Sequence, residues 1–123
     1  MRAIRHFIPG IPYGPDKVRG DTDAPERWKA AVRQHTSGLP SVRGPCLLRV
    51  TFLLPPSKFP GDHPFGSDLD NLLKLFGDAL QDTVLRDAPG KDGAIVSVEA
   101  AKARVASEAE SGAQFEIIDY SDA

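Results

Sequence analysis

SDLDNLLKLFGDAL, running from Ser67 to Leu80, reads as one amphipathic helix. Leu69, Leu72, Leu73, Phe76 and Leu80 recur at the three-and-four spacing of a single buried face. Asp70, Lys74 and Asp78 fall four apart and line a polar stripe beside it. Ser67 followed three residues later by Asp70 has the form of a capping box, which puts the helix start at Asp68 or Leu69. Asp68 and Asp70 have two readings. They are dipole-favoured acids of a first turn, or they share a divalent cation. Within a regular helix they would point roughly 200° apart, at about 100° per residue. An Asp68 at the non-helical start is free to swing towards Asp70.

Working outward, the chain has 123 residues, which suits one domain with a modest core. Its 41% apolar and 26% charged content is that of an ordinary globular protein. The single cysteine, Cys46, excludes an internal disulfide, opens an apolar run and is expected in the core; a reducing, cytoplasmic setting fits. No apolar run approaches membrane-spanning length, and the N-terminus lacks the apolar core of a signal peptide.

The net charge of −2 hides an asymmetry. Residues 1–60 hold 10 Lys/Arg against 4 Asp/Glu, and residues 61–123 hold 5 against 13. Either a polyanion-binding surface lies beside a cation site, or the two halves neutralise each other in the fold.

Arg2 to Pro9 reads as a first strand. Ile8 to Gly20 is a Pro/Gly-rich loop in which Tyr13, Lys17 and Arg19 suit contacts to a phosphate backbone, or simply sit on the surface. Asp23 to His35 reads as a helix with Asp23 as N-cap, Pro25 in the first turn, and Trp28, Ala31 and Val32 inward. Pro45 to Leu54, apolar on both faces, is expected as a central strand. Residues 55–66 form a loop in which Asp62 and His63 are minor ligand candidates. Gln81 to Gly93 is polar and turn-rich. Ala94 to Ala106 begins as an alternating strand, with Ile95, Glu99 and Ala101 on one parity and Val96, Val98 and Lys102 on the other. A hairpin turning near Ser111 and Gly112 is expected to return it through Phe115, Ile117 and Ile118. The order strand, helix, strand, helix, strand, strand predicts an α/β or α+β domain: a mixed sheet with two main helices packed on it.

Asp68 and Asp70 with one further carboxylate at the next strand would make an all-oxygen site of the kind Mg²⁺ or Mn²⁺ takes. Lys74, one turn along, would offset charge developing at a phosphate. An EF-hand from Asp68 fails, because Leu73 and Ala79 stand where Gly and Glu are needed.

At these residues the chain resembles the RusA family of Holliday-junction resolvases. The family motif D-x-D-N-x-x-K, followed by an apolar-D-A-L segment, is matched by Asp68, Asp70, Asn71, Lys74, Asp78, Ala79 and Leu80. Asp92 and Lys102 match an aspartate before the next strand and a basic residue near its end. The resemblance spans most of residues 1–123 as a single RusA-like nuclease domain. It implies a homodimeric, Mg²⁺-dependent endonuclease, with Mn²⁺ as substitute, that nicks a four-way or otherwise branched DNA junction symmetrically. Carried over, Asp68, Asp70 and Asp92 would be metal ligands and Lys74 the catalytic lysine, with Lys74, Lys102, Lys17 and Arg19 on the DNA. The chain departs from the family around Asp92, where Lys91 precedes and Gly93 and Ala94 follow, so the third ligand lies between Asp92 and Asp87. Two other functions stay open: a structure-selective DNA-binding module without catalysis, and a metal-dependent phosphoesterase acting on another nucleic acid.

Overall fold

The computed structural model describes residues 2–15, 21–58 and 67–121. Strand β1 (Arg2–Pro9) is followed by helix α1 (Ala24–Thr36), strand β2 (Cys46–Leu54), helix α2 (Leu69–Leu80), a 3-10 turn (Lys91–Ala94), strand β3 (Ile95–Arg104) and strand β4 (Gly112–Asp119). They form a small α+β domain with one four-stranded mixed sheet, ordered β1-β4-β2-β3. The two helices pack on each other and on the sheet. No helix among the described residues is long and apolar enough to cross a membrane.

β2 and β3 pair in parallel, with α2 carrying the crossover between them. β4 runs antiparallel to both β1 and β2 and lies between them. The expected β3–β4 hairpin is therefore corrected: the two strands do not pair, and β2 separates them. The reason lies in burial. β4 is buried along most of its length, with Ala113, Phe115 and Ile117 on its helix-facing side and Glu116 and Asp119 also covered, as suits an interior strand. β3 has Ser97, Glu99 and two alanines on one face and is mostly exposed, as suits an edge.

One face of the sheet holds the core. Ile4 and Ile8 of β1, Phe115 and Ile117 of β4, and Leu48, Val50, Phe52 and Leu54 of β2 alternate inward. Phe76 of α2 meets them edge-on, with ring centroids 5.7 Å from Phe52 and 5.5 Å from Phe115. The buried side of α2 is wider than its leucine spacing indicates, because Leu75 and Ala79 are also buried. Cys46 is buried as expected; burial first, and then Asp119, pushes its thiol up to about 11.

Three local expectations need correcting. Asp68 rather than Ser67 occupies the N-cap of α2, so the capping box does not form there. The N-cap of α1 is Asp23, as expected, although its side chain makes no capping bond. The segment after α2 is not merely polar: Thr83, Val84, Leu85 and Ala88 are buried, the Val42 amide donates to the Val84 carbonyl (2.7 Å), and the Thr36 and Thr83 hydroxyls bond each other (2.8 Å). In β3, a register shift beside Cys46 turns Ile95 to the same side as Val98, breaking the simple alternation.

The charge asymmetry is at least partly self-neutralising. Arg2 pairs with Asp119, Arg5 with Glu116, Arg33 with Asp82, and Arg49 with both Glu99 and Glu116, each joining the basic half to the acidic one. Burial pushes the Asp119 carboxyl up. The Ser121 hydroxyl and amide, the Arg43 amide and the Arg2 guanidinium outweigh it and hold the group below its ordinary 3.8. Its stabilising effect is therefore present above that ordinary value and is lost as pH falls through the lowered one. Asp119→Asn is expected to lower the urea midpoint at pH 7, with the gap to wild type closing as pH is taken down through the carboxylate range. A gap that stays constant from pH 7 to pH 2 would contradict this assignment.

Candidate active site

α2 is held in place by its apolar face, so its polar stripe is aimed outward. Asp70 and Lys74 are exposed, and Asp78 is half-buried. Asp68 has an extended backbone (φ −63°, ψ 138°); its carbonyl accepts the Leu72 amide at 3.1 Å, while its carboxylate makes no capping bond. Among the described residues, Asp68, Asp70, Lys74 and Asp92 make no side-chain hydrogen bond or ion pair.

Beside the stripe lies a cleft of about 370 Å³, lined by Leu48, Leu73, Lys74, Gly77, Asp78, Asp92, Ile95 and Val98. Leucine, isoleucine and valine make its floor, and Lys74, Asp78 and Asp92 converge on it from two elements. Asp92 is delivered by the 3-10 turn before β3. Gly90 (φ 73°) and Lys91 (φ 55°) both take left-handed backbone there, and at Lys91 this costs about 1 kcal/mol. The Lys91 amide donates to Ala88 O (3.0 Å) and its Nζ to Arg86 O (2.8 Å), which hold the turn.

The two candidates for the third carboxylate are thereby separated in space. Asp92 shares the cleft with Lys74. Asp87 does not line it, but accepts the Ser41 hydroxyl at 2.6 Å and lies 3.8 Å from Arg86. Asp78, on the helix stripe, accepts a 3.3 Å bond from Gln81 Nε2.

Lys102 has a positional role. Its register partner is Phe52, so it points to the helix side, and its Nζ donates to the Ser67 carbonyl at 2.8 Å. This bond ties the far end of β3 to the start of α2, where the two aspartates sit. Lys17, Arg19, Asp62 and His63 lie outside the described residues.

Two further features escape sequence reasoning. The first loop reaches α2: a Cβ on Gly14 would stand 2.8 Å from the Asn71 Cβ, so only glycine admits this approach beside Asp70. Lys58, after β2, places its ammonium 5.3 Å from the Tyr13 ring centre. Both contacts join segments far apart in sequence, and no local pattern signals them.

No family model and no curated protein matches the chain. For Mg²⁺ the donor type fits: two uncommitted carboxylates at one helix start offer the oxygens that a hydrated magnesium ion takes one or two at a time. A closed cage is absent, since among the described residues no group of three His, Cys, Asp or Glu side chains could hold a metal ion.

Lys102→Met is expected to loosen the start of α2. Loss of a hydrogen bond from a charged donor, worth about 1.5 kcal/mol or more, should raise amide exchange at Leu72 by about tenfold while the middle of β2 is unchanged. Equal exchange at Leu72 in variant and wild type would remove the tether.

Proposed function

We propose that this chain is a RusA-like, metal-dependent endodeoxyribonuclease that resolves four-way DNA junctions by paired symmetric nicks. The observation that carries the reading is the cleft where Lys74, on the motif helix whose first turn carries Asp68 and Asp70, and Asp92, from a separate turn, come together.

Asp68 and Asp70 would hold the cation, and Asp92, the third ligand that the resemblance implies, lines the cleft with Lys74. Mg²⁺, when bound, supplies an activated water and offsets negative charge at phosphorus. Lys74, exposed and unpaired among the described residues, is placed to stabilise charge on the transferring phosphate or the leaving oxygen. Tyr13, next to the Gly14 that meets Asn71, and Lys58 over its ring would supply an aromatic face and a cation for the nucleic-acid backbone. Lys102 holds the Ser67 carbonyl at the start of the motif helix. Asn71 seats the first loop against the motif helix.

The absence of a three-carboxylate group among the described residues favours a second reading, a structure-selective DNA-binding module without catalysis. One experiment separates the two: a labelled immobile four-way junction incubated with Mg²⁺, Mn²⁺ or EDTA. Wild type is expected to give paired nicks that require metal. Asp70→Asn should abolish them while junction binding survives, and Lys74→Met should slow them roughly 10²–10³-fold. Asp92→Asn should be severely impaired and Asp87→Asn near wild type. Binding without nicking in either metal would establish the module instead.

A further inference from the structure

α2 contains one residue that its packing does not explain. Gly77 lies inside the helix, three residues before its end, where glycine is the least favourable residue after proline. Its backbone is ordinary helix, and a Cβ built on it would meet nothing within 4 Å. A Cβ on Gly14 or Gly112 would instead strike a neighbour at 2.8 or 2.3 Å. Gly77 shares a strip of the helix with Leu73 and Lys74, one turn earlier, and all three line the 370 Å³ cleft beside β3. The room that a side chain would take is therefore room in that cleft.

The surface so left open is apolar. Val98 is in register with buried Leu48 on the helix side of the sheet, yet it is 47% exposed. Leu73 and Ile95, partly buried, line the cleft with it. The chain thus leaves aliphatic surface bare and omits a side chain that could cover it. Neither choice favours the fold, since covering apolar surface and replacing a helix glycine would both stabilise it. Both choices suit a ligand with an apolar face.

We infer that the cleft is a base-binding subsite: it takes one unstacked nucleobase of the strand to be cut, and Gly77 is the residue that opens it. The inference rests on the nuclease reading, which brings the strand's phosphate to Lys74 in the same cleft. The base next to that phosphate has apolar faces, which suit Leu73, Ile95 and Val98. Its polar edge suits the Asp78 carboxylate, an acceptor for an amino or imino hydrogen. A volume of 370 Å³ stands near the lower end of the roughly 300–1,000 Å³ typical of small-molecule sites, which fits a single base. Unstacking is least costly where pairing is already interrupted, as at a branch point. An apolar side chain of another protein would match the floor but leave the Lys74 ammonium and the Asp92 carboxylate unmatched.

The test uses the full chain in EDTA, so that it does not depend on nicking. An immobile four-way junction carries 2-aminopurine, stepped through the nucleotides at the branch point. Among the described residues no aromatic ring lines the cleft, so a base taken into it loses its stacking partners and gains none. Wild type is expected to brighten the probe severalfold at a discrete position. Asp70→Asn should keep that rise, which separates base capture from metal chemistry. Gly77→Leu should still bind the junction but lose the rise, and with Mg²⁺ it should nick roughly 10–10²-fold more slowly. Gly77→Ala should move the same way by less while melting a few degrees above wild type; it carries the test if Gly77→Leu does not fold. A Gly77→Ala that melts below wild type would return the glycine to the fold and overturn the proposal. So would a rise undiminished in both folded variants, or a bound wild type that brightens no position. A Gly77→Leu that handles DNA normally but alters self-association would give the cleft to a second copy and overturn it as well. Brightening without nicking in Mg²⁺ or Mn²⁺ would remove the nuclease reading and leave the subsite; nicking without brightening would do the reverse.

Discussion

Phe76, held edge-on between Phe52 and Phe115, is the contact on which the rest of the structure depends. It is fully buried and joins α2 to the two central strands at once. Burying such a ring favours folding by about 1.5–3 kcal/mol. Its directional effect matters more. With Phe76, Leu72 and Leu80 turned into the core, α2 cannot rotate about its own axis, and Asp70, Lys74 and Asp78 must line the side that flanks β3. The chemistry of the cleft is thus set by an apolar contact that takes no part in it.

The second anchoring device is polar. The bond from Lys102 to the Ser67 carbonyl links the start of α2 to the edge strand. A helix start is the least secure part of a helix, since its leading amides have no partner within it. Here the aspartates occupy that start, and a strand lysine and a close-packed glycine loop steady it from two sides.

The two faces of the sheet have divided the charged residues between them. On the uncovered face, arginines and glutamates satisfy one another in a row that spans all four strands. On the helix side, near the cleft, Lys74, Asp68, Asp70 and Asp92 are left without such partners among the described residues. Neutralisation between the basic and acidic halves therefore consumes arginines of the sheet and leaves the motif acids unconsumed. A net charge of −2 reveals neither arrangement.

Local pattern by itself determined the elements: β1 from Arg2 to Pro9, a strand ending at Leu54, a helix ending at Leu80, and the grouping of Asp70, Lys74 and Asp78 on one stripe. These depend on the helix period of 3.6 and the strand period of 2, which act over neighbouring residues. What tertiary structure alone decided was non-local. β4 passed over β3 to lie between β1 and β2, an interior place that matches its burial along most of its length, while the mostly exposed β3 took the edge. Asp87 went to Ser41 and Asp92 to the cleft, because the turn between them is shaped by left-handed backbone at Gly90 and Lys91 and by burial of Thr83, Val84 and Leu85. The four-residue charge row also needed the strand order before it could exist. Alternation along a strand tells which face a residue takes, and pairing between strands decides which charges become neighbours.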